Sequence, residues 1–293
     1  MMRPSQSNYL FLLSYFHMLD VDLHSHSSHS DGRLTPVELV TRAFARGVKV
    51  YALTDHDELS GLAEARREAE ARSMKFIAGV EISVSWAAAT LHIVGLNFDP
   101  LHTEIAEGLQ RVRAGRHARA ERIAADLERA GIEGALAGAQ GYARNADLLS
   151  RTHFARYLVE RGYVKDANAA FKRYLTAGKP GYVEHQWATL SQAVGWINAA
   201  GGAAVIAHPG RYKLNNRERE ALLGEFCDLG GAGVEVVTGS HTADQYATWA
   251  RYAQRHGLKA SVGSDFHGPG ESYLDLGKLP DLPYGLAPVW EDF

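Results

Sequence analysis

The 293-residue sequence contains a single cysteine, Cys227. One thiol excludes an internal disulfide framework, an all-thiolate zinc site and a thiolate-ligated iron–sulfur cluster. No charge of one sign dominates, since 31 Lys and Arg stand against 34 Asp and Glu for a net charge of -3. That balance argues against gripping a nucleic acid through overall charge, while leaving room for a local basic pocket. Long apolar runs are missing too. The stretch Tyr9–Phe16 covers eight residues, too few to span a bilayer. It has one Arg before it and no small-residue cleavage site after it, so it does not read as a signal peptide. The expected location is the cytoplasm, with no membrane partner and no obligatory protein partner. Met18 directly precedes the first strand-like run, so residues 1–18 are expected to be an N-terminal extension. Neither G-x-S-x-G nor G-x-x-x-x-G-K-[ST] occurs, which removes nucleophile-elbow serine hydrolases and P-loop enzymes.

With 46% hydrophobic and 22% charged residues, the chain can bury a full core as one large α/β domain or as a domain with an insertion. Short β-rich runs at 19–24, 48–54, 76–82, 91–96, 203–207, 233–238 and 259–263 alternate with helical segments at 35–46, 61–72, 190–200, 217–229 and 242–256. This rhythm predicts parallel βα units. The first helix carries its own start signal: Thr35 at the N-cap, Pro36 in the first turn and Glu38 three residues after the cap. Residues 101–185 break the rhythm. That stretch is nearly strand-free, with a long helical run from Glu104 to Ala130 and shorter ones near 153–161 and 166–175, and is expected to be a helical insertion. The barrel units then occupy 19–100 and 186–293.

The sequence is rich in one residue type, with 14 histidines. His24, His26 and Asp31 follow the first strand run and His56 the second. Glu81 lies in the third and His92 at the start of the fourth, His208 closes the fifth, and Asp265 and His267 follow the last. In a parallel barrel the C-terminal strand ends meet on one face, so these residues are expected to converge. A His-x-His pair on a strand aims both rings to the same side. Imidazole and carboxylate without thiolate suit Mn²⁺, Zn²⁺ or Fe²⁺. Six His with Asp31, Glu81 and Asp265 make nine donors, too many for one ion, so two or three ions sharing a bridging carboxylate are expected. Such a cluster clamps phosphate and activates water, which implies phosphoester or amide hydrolysis. Asp55 and Asp57 read as loop residues behind the ligands. His17, His29, His102, His117, His185, His241 and His256 fall outside the pattern and read as solvated or structural. By residue type alone, Arg116 and Arg119 on the long helix fit a solvated face, since Arg111, Arg113 and Arg122 are close by.

The segments DLHSHSSHSDG, ALTDHD, GVEIS, AHPG and GSDFH resemble the successive motifs of the polymerase and histidinol phosphatase (PHP) family, over residues 20–100 and 186–268. The resemblance implies a distorted seven-stranded β/α barrel with a di- or trinuclear metal centre. SRTHFARYLVERGYV and AFKRYLTAGKPGYVEHQW are further similar to a branch of small family members acting on nucleotides. It implies that His24, His26, Glu81 and Asp265 hold one ion, and Asp31, His56, His267 and His208 a second. Glu81 then bridges to a third held by His92 and, from the insertion, His153, with Mn²⁺ the expected metal. Asp31, His56 and His208 are the catalytic candidates. Arg116, Arg119, Arg151, Thr152 and Arg211 become candidate phosphate contacts. The implied reaction is removal of the 3′-phosphate from a nucleoside 3′,5′-bisphosphate. The alternatives are 5′→3′ cleavage of short 5′-phosphorylated RNA, or a module that binds metal or nucleotide without turnover.

Overall fold

The computed structural model describes residues 19–87, 89–145 and 148–293; the expected extension 1–18 lies outside them. The strands are β1 (Val21–Asp22), β2 (Val50–Leu53), β3 (Lys75–Trp86), β4 (Ala89–Leu96), β5 (Ala188–Thr189), β6 (Ala203–Ile206), β7 (Gly233–Thr238) and β8 (Lys259–Gly263). Seven of them lie in the order β1-β2-β3-β4-β6-β7-β8, while the two-residue β5 pairs with the end of β3. The first and last strands approach each other through Leu23 N–H to Val262 O at 3.1 Å and Asp265 N–H to His24 O at 2.9 Å. The sheet is thereby a near-closed, distorted seven-stranded barrel.

One strand departs from the parallel rule. β4 runs antiparallel to both β3 and β6. Its link to β3, from Trp86 to Ala89, is too short for a crossover, which leaves only a hairpin. The reversal places the start of β4 beside the C-terminal end of β3, with His92 opposite Ser83. His92 therefore reaches the same rim as the residues that follow the parallel strands.

Around the barrel pack α1 (Pro36–Ala45), α2 (Leu62–Ala71), α7 (Leu190–Ala199), α8 (Asn216–Asp228) and α9 (Ala243–His256). The reciprocal cap of Thr35 and Glu38 forms as the spacing predicts, and Thr189, Asn215 and Thr242 start α7, α8 and α9 in the same way. Between β4 and β5 lie α3 (Thr103–Arg129), α4 (Ala135–Gln140), α5 (Arg151–Glu160), α6 (Ala167–Ala170) and a π-helical turn, Phe171–Leu175. These helices bury a second apolar core around Ile123, Leu127, Phe154 and Leu158. α3 belongs to both cores. Ile105, Leu109 and Val112 pack into the barrel core, and Ala120, Ile123 and Leu127 into the second. At 27 residues it is about 40 Å long, and the changeover between the two cores falls at Arg116 and Arg119. Among the described residues, no helix is long and apolar enough to cross a membrane.

Candidate metal centre

Nine side chains converge at the rim where the parallel strands end. His24 and His26 are fully buried, with Nε2 atoms 3.1 Å apart. Glu81 stands at the centre. Its Oε2 lies 3.4 Å from His24 Nε2, 3.3 Å from His26 Nε2 and 2.9 Å from His56 Nδ1. Its Oε1 lies 2.8 Å from both His92 Nδ1 and His208 Nε2. Asp265 Oδ1 is 3.3 Å from His26 Nε2, and Asp31 Oδ1 is 3.4 Å from His267 Nε2.

These donors form four overlapping groups able to hold an ion: His26, Asp31, His56 and His267; His24, Glu81 and His208; His24, His26 and Asp265; His56, Glu81 and His92. The family pattern had His208 beside Asp31 and His267, whereas here it stands with His24 and Glu81. His153 joins none of the groups. Its Nδ1 accepts the Ser150 N–H at 3.1 Å as part of the cap of α5, which leaves Nε2 carrying the proton of a neutral ring.

The electrostatics fit a cation. Burial opposes ionisation of Asp31, Glu81 and Asp265, yet the surrounding imidazoles hold all three well below the carboxylate range. Burial likewise opposes charge on His24 and His267, but Glu235 and Glu81 outweigh it at His24, and Asp31 lifts His267 to about 9. Burial, with His267 and His56 nearby, takes His26 down to about 3, and burial with Arg211 does the same to His208. Three anionic carboxylates thus share a largely buried site with imidazoles of which only some can carry protons, and divalent ions would take the place of those protons. Orphaned atoms agree: His26 Nδ1, Asp31 Oδ1, His56 Nδ1, Glu81 Oε2 and His208 Nδ1 are buried without a hydrogen-bond partner. The backbone is strained here as well. Asp57, His208 and Asp265 hold φ values of 52°, 27° and 54°, a region L-residues seldom adopt.

Asp55 and Asp57 sit behind the nine clustered side chains. Asp55 accepts from Ser27 N at 2.7 Å, Ser27 Oγ at 2.6 Å and Ser30 Oγ at 2.6 Å, which fixes the loop carrying Asp31. Asp57 accepts from Ser83 N at 2.8 Å and pairs with Arg116. From the insertion, Ser150 Oγ donates to Asp31 Oδ2 at 2.9 Å. Arg156 donates to Asp31 O at 2.7 Å while gripping Glu271 through two bonds of 3.0 and 2.7 Å.

A cavity of about 130 Å³ opens onto this cluster and is lined from the insertion side by Arg116, Arg119 and Arg151. The guanidinium groups of Arg116 and Arg119 lie 4.8 and 5.3 Å from the Trp187 ring centre. Both arginines are buried, so the solvated-face reading fails. Arg119 bonds only the Val183 carbonyl, at 3.2 Å, and no carboxylate pairs with it among the described residues. Burial beside Arg151 and Arg116 pushes its pKa down. Thr152 lines the same cavity, and Arg211 enters it paired with Asp265 at 2.8 Å.

Sequence reasoning missed several parts of the site. Ser150 and Arg156 lie in a helical segment whose docking onto Asp31 has no sequence signature. His185, read as solvated or structural, lines the cavity and packs edge-on against Trp187 at 4.3 Å. Glu235, which faces His24, had one available signal: an acid in the apolar strand run GVEVVT.

A near-closed barrel bearing imidazole and carboxylate groups at its strand ends is the architecture of a metal-dependent phosphoesterase. The chain belongs to the PHP domain family, whose model matches residues 22–231. It is 52% identical over 275 residues to a 3′,5′-nucleoside bisphosphate phosphatase from Chromobacterium violaceum, covering 94% of this chain and 96% of that protein. It is 46% identical to a 5′-3′ exoribonuclease from Haemophilus influenzae, covering 93% and 98%. The solved structure of an amidohydrolase from C. violaceum, with sulfate bound and no metal, superposes with a TM-score of 0.91 at 52% identity, covering 94% of this chain and 95% of that one.

Proposed function

We propose that the protein is a metal-dependent phosphohydrolase that removes the 3′-phosphate from nucleoside 3′,5′-bisphosphates, giving the 5′-monophosphate and inorganic phosphate. The observation that carries this reading is a single cavity with two kinds of phosphate-binding wall: seven ligand-type side chains on the barrel side, backed by His24 and His26, and three arginines on the insertion side. A substrate with one phosphate satisfies only one wall.

In this reading His24, His26, Asp31, His56, Glu81, His92, His208, Asp265 and His267 hold two or three divalent ions, Mn²⁺ by preference. Those ions supply charge for the transferred phosphoryl group and activation of water. Asp31, held by Ser150 through Oδ2 and facing His267 and His56 through Oδ1, orients the attacking water. Arg211 faces the reacting phosphoryl group. Arg119 and Arg151 take the distal 5′-phosphate, joined by Thr152 at the start of α5. Arg116, tied to Asp57 and Ser83 Oγ, holds the wall in place as much as it binds. Tyr182 offers a face for the nucleoside. Residues 101–185 act as the substrate cap on a barrel of 19–100 and 186–293, and the cytoplasm is the place of action. The relatives' names support the substrate class.

A second reading has its own observation. A neighbouring cavity of about 480 Å³ shares Thr152, Phe171, Arg211, Asp265 and His267 with the first and continues to Tyr273. Breaking the bond between O3′ and phosphorus releases phosphate from a bisphosphate and a shortened strand from RNA. The second cavity is where a following nucleotide would extend. Product analysis separates the two. Mn²⁺-loaded protein is given adenosine 3′,5′-bisphosphate or a 5′-phosphorylated RNA oligomer. Rapid release of phosphate and AMP with the oligomer barely cut supports the first reading, and stepwise mononucleotide release from the oligomer supports the second. Silence on both overturns the hydrolase reading and leaves a binding module.

A further inference from the structure

We propose that Glu235 is a positioning residue for the metal centre, fixing the tautomer of His24 and the backbone seat of His208. The inference rests on the metal-centre reading and assigns a role to a residue outside the ligand set.

Glu235 lies in mid-β7, with its carboxylate 1% exposed inside the barrel. A carboxylate in such a place is costly unless both oxygens are engaged. Here each oxygen has a separate partner, and each partner is a ligand residue. Oε1 lies 2.6 Å from His24 Nδ1, and Oε2 accepts the His208 backbone N–H at 2.5 Å. A carboxylate facing Nδ1 keeps the proton on that nitrogen. The lone pair of the neutral ring is then on Nε2, the atom that faces His26 Nε2, Glu81 and Asp265. Through the other oxygen, Glu235 restrains His208 at its unfavourable φ of 27°, from which the His208 ring meets Glu81.

The neighbouring strand is shaped for this contact. A Cβ on Gly263 would fall 2.1 Å from His24 Cβ and 3.1 Å from Glu235 Oε1. Glycine at 263 is what lets the ring and the carboxylate meet. One side chain from β7 thus aligns donors that follow β1 and β6.

The test begins with Mn²⁺ and Zn²⁺ titration of metal-stripped wild-type protein and of Glu235→Gln, alongside thermal melts of both metal-free forms. The expected result is a folded variant with metal affinity weakened roughly 10- to 100-fold, as for other outer carboxylates behind ligating imidazoles. A folded variant with wild-type affinity overturns the inference. A wild-type protein that binds neither metal overturns the metal-centre reading instead. Should Glu235→Gln not fold, ¹⁵N NMR of the Zn²⁺-loaded wild type decides. A proton on His24 Nδ1 supports the role of Glu235, and a proton on Nε2 sinks it.

Discussion

Arg116 and Arg119 are one helical turn apart on α3, yet their surroundings set them to different work. Arg116 spends its charge on Asp57 and Ser83, whereas Arg119 has a carbonyl and an aromatic face but no acid among the described residues. An unpaired buried guanidinium is an anion site in waiting. Arg119→Ala is expected to raise KM for a nucleoside 3′,5′-bisphosphate about 10- to 100-fold, the range of one charge-assisted hydrogen bond at about 1.5–3 kcal/mol. Steady-state kinetics on matched 3′-mono- and 3′,5′-bisphosphates check it, and an equal loss on both would remove Arg119 from the distal phosphate. At this scale the sequence was most informative about which side chains converge, because HxH, the Glu of GVEIS and DxH stand at strand ends that a barrel must bring together. It was least informative about the arginines. A helix crowded with Arg111, Arg113, Arg116, Arg119 and Arg122 does not announce which face is buried. That depends on what α3 packs against, and the Trp187 segment arrives more than sixty residues later.

Elements explain what side chains alone do not. The hairpin of β3 and β4 was hidden because its turn, in WAAAT, lacks the Gly, Asn, Asp or Pro that mark tight turns. The reading accordingly ended β3 at residue 82 and ran the fourth strand parallel. It placed His92 at the right rim for an incomplete reason, since only the reversal of β4 puts a strand start there. α4 went unread for a related cause: ALAGAQ is short and glycine-interrupted. α5 shows how the insertion reaches the chemistry, through Ser150 on Asp31 and the grip of Arg156 on Glu271 and the Asp31 carbonyl. Removing Arg156 leaves the part-buried Glu271 with only its longer contact to Arg33, at 3.4 Å, and the Asp31 carbonyl without its donor. Arg156→Ala is expected to cost about 1–3 kcal/mol in denaturant unfolding and to lower kcat by loosening the Asp31 loop. Unchanged stability and turnover would show that α5 merely lies against the barrel.

At the scale of the whole molecule, the metal centre concentrates enough charge to govern stability. In metal-free protein His267 has a pKa near 9 and His24 and His56 are also raised, against an ordinary value of 6.5. Groups raised on folding contribute stability that is complete below pH 6.5 and lost as pH rises through the folded value. His26 and His208, lowered to about 3, change stability only below 6.5 and leave that window untouched. Chelator-treated protein is therefore expected to melt at progressively lower temperature from pH 6.5 to 9. Metal-loaded protein should lose far less, because cations replace those protons. Melting curves of both forms across that range provide the check, and a metal-free protein that gains stability toward pH 9 would contradict the charge arrangement described.

α3 carries a last implication. A helix seated in two cores at once cannot hinge where Arg116 and Arg119 emerge without breaking its own hydrogen-bond ladder. The two walls of the small cavity are thus held at a set spacing before any nucleotide arrives. On the bisphosphate reading proposed above, recognition works as a calliper does: reach between two phosphates is measured against that gap, and a molecule whose anions stand too close or too far apart is rejected by dimension.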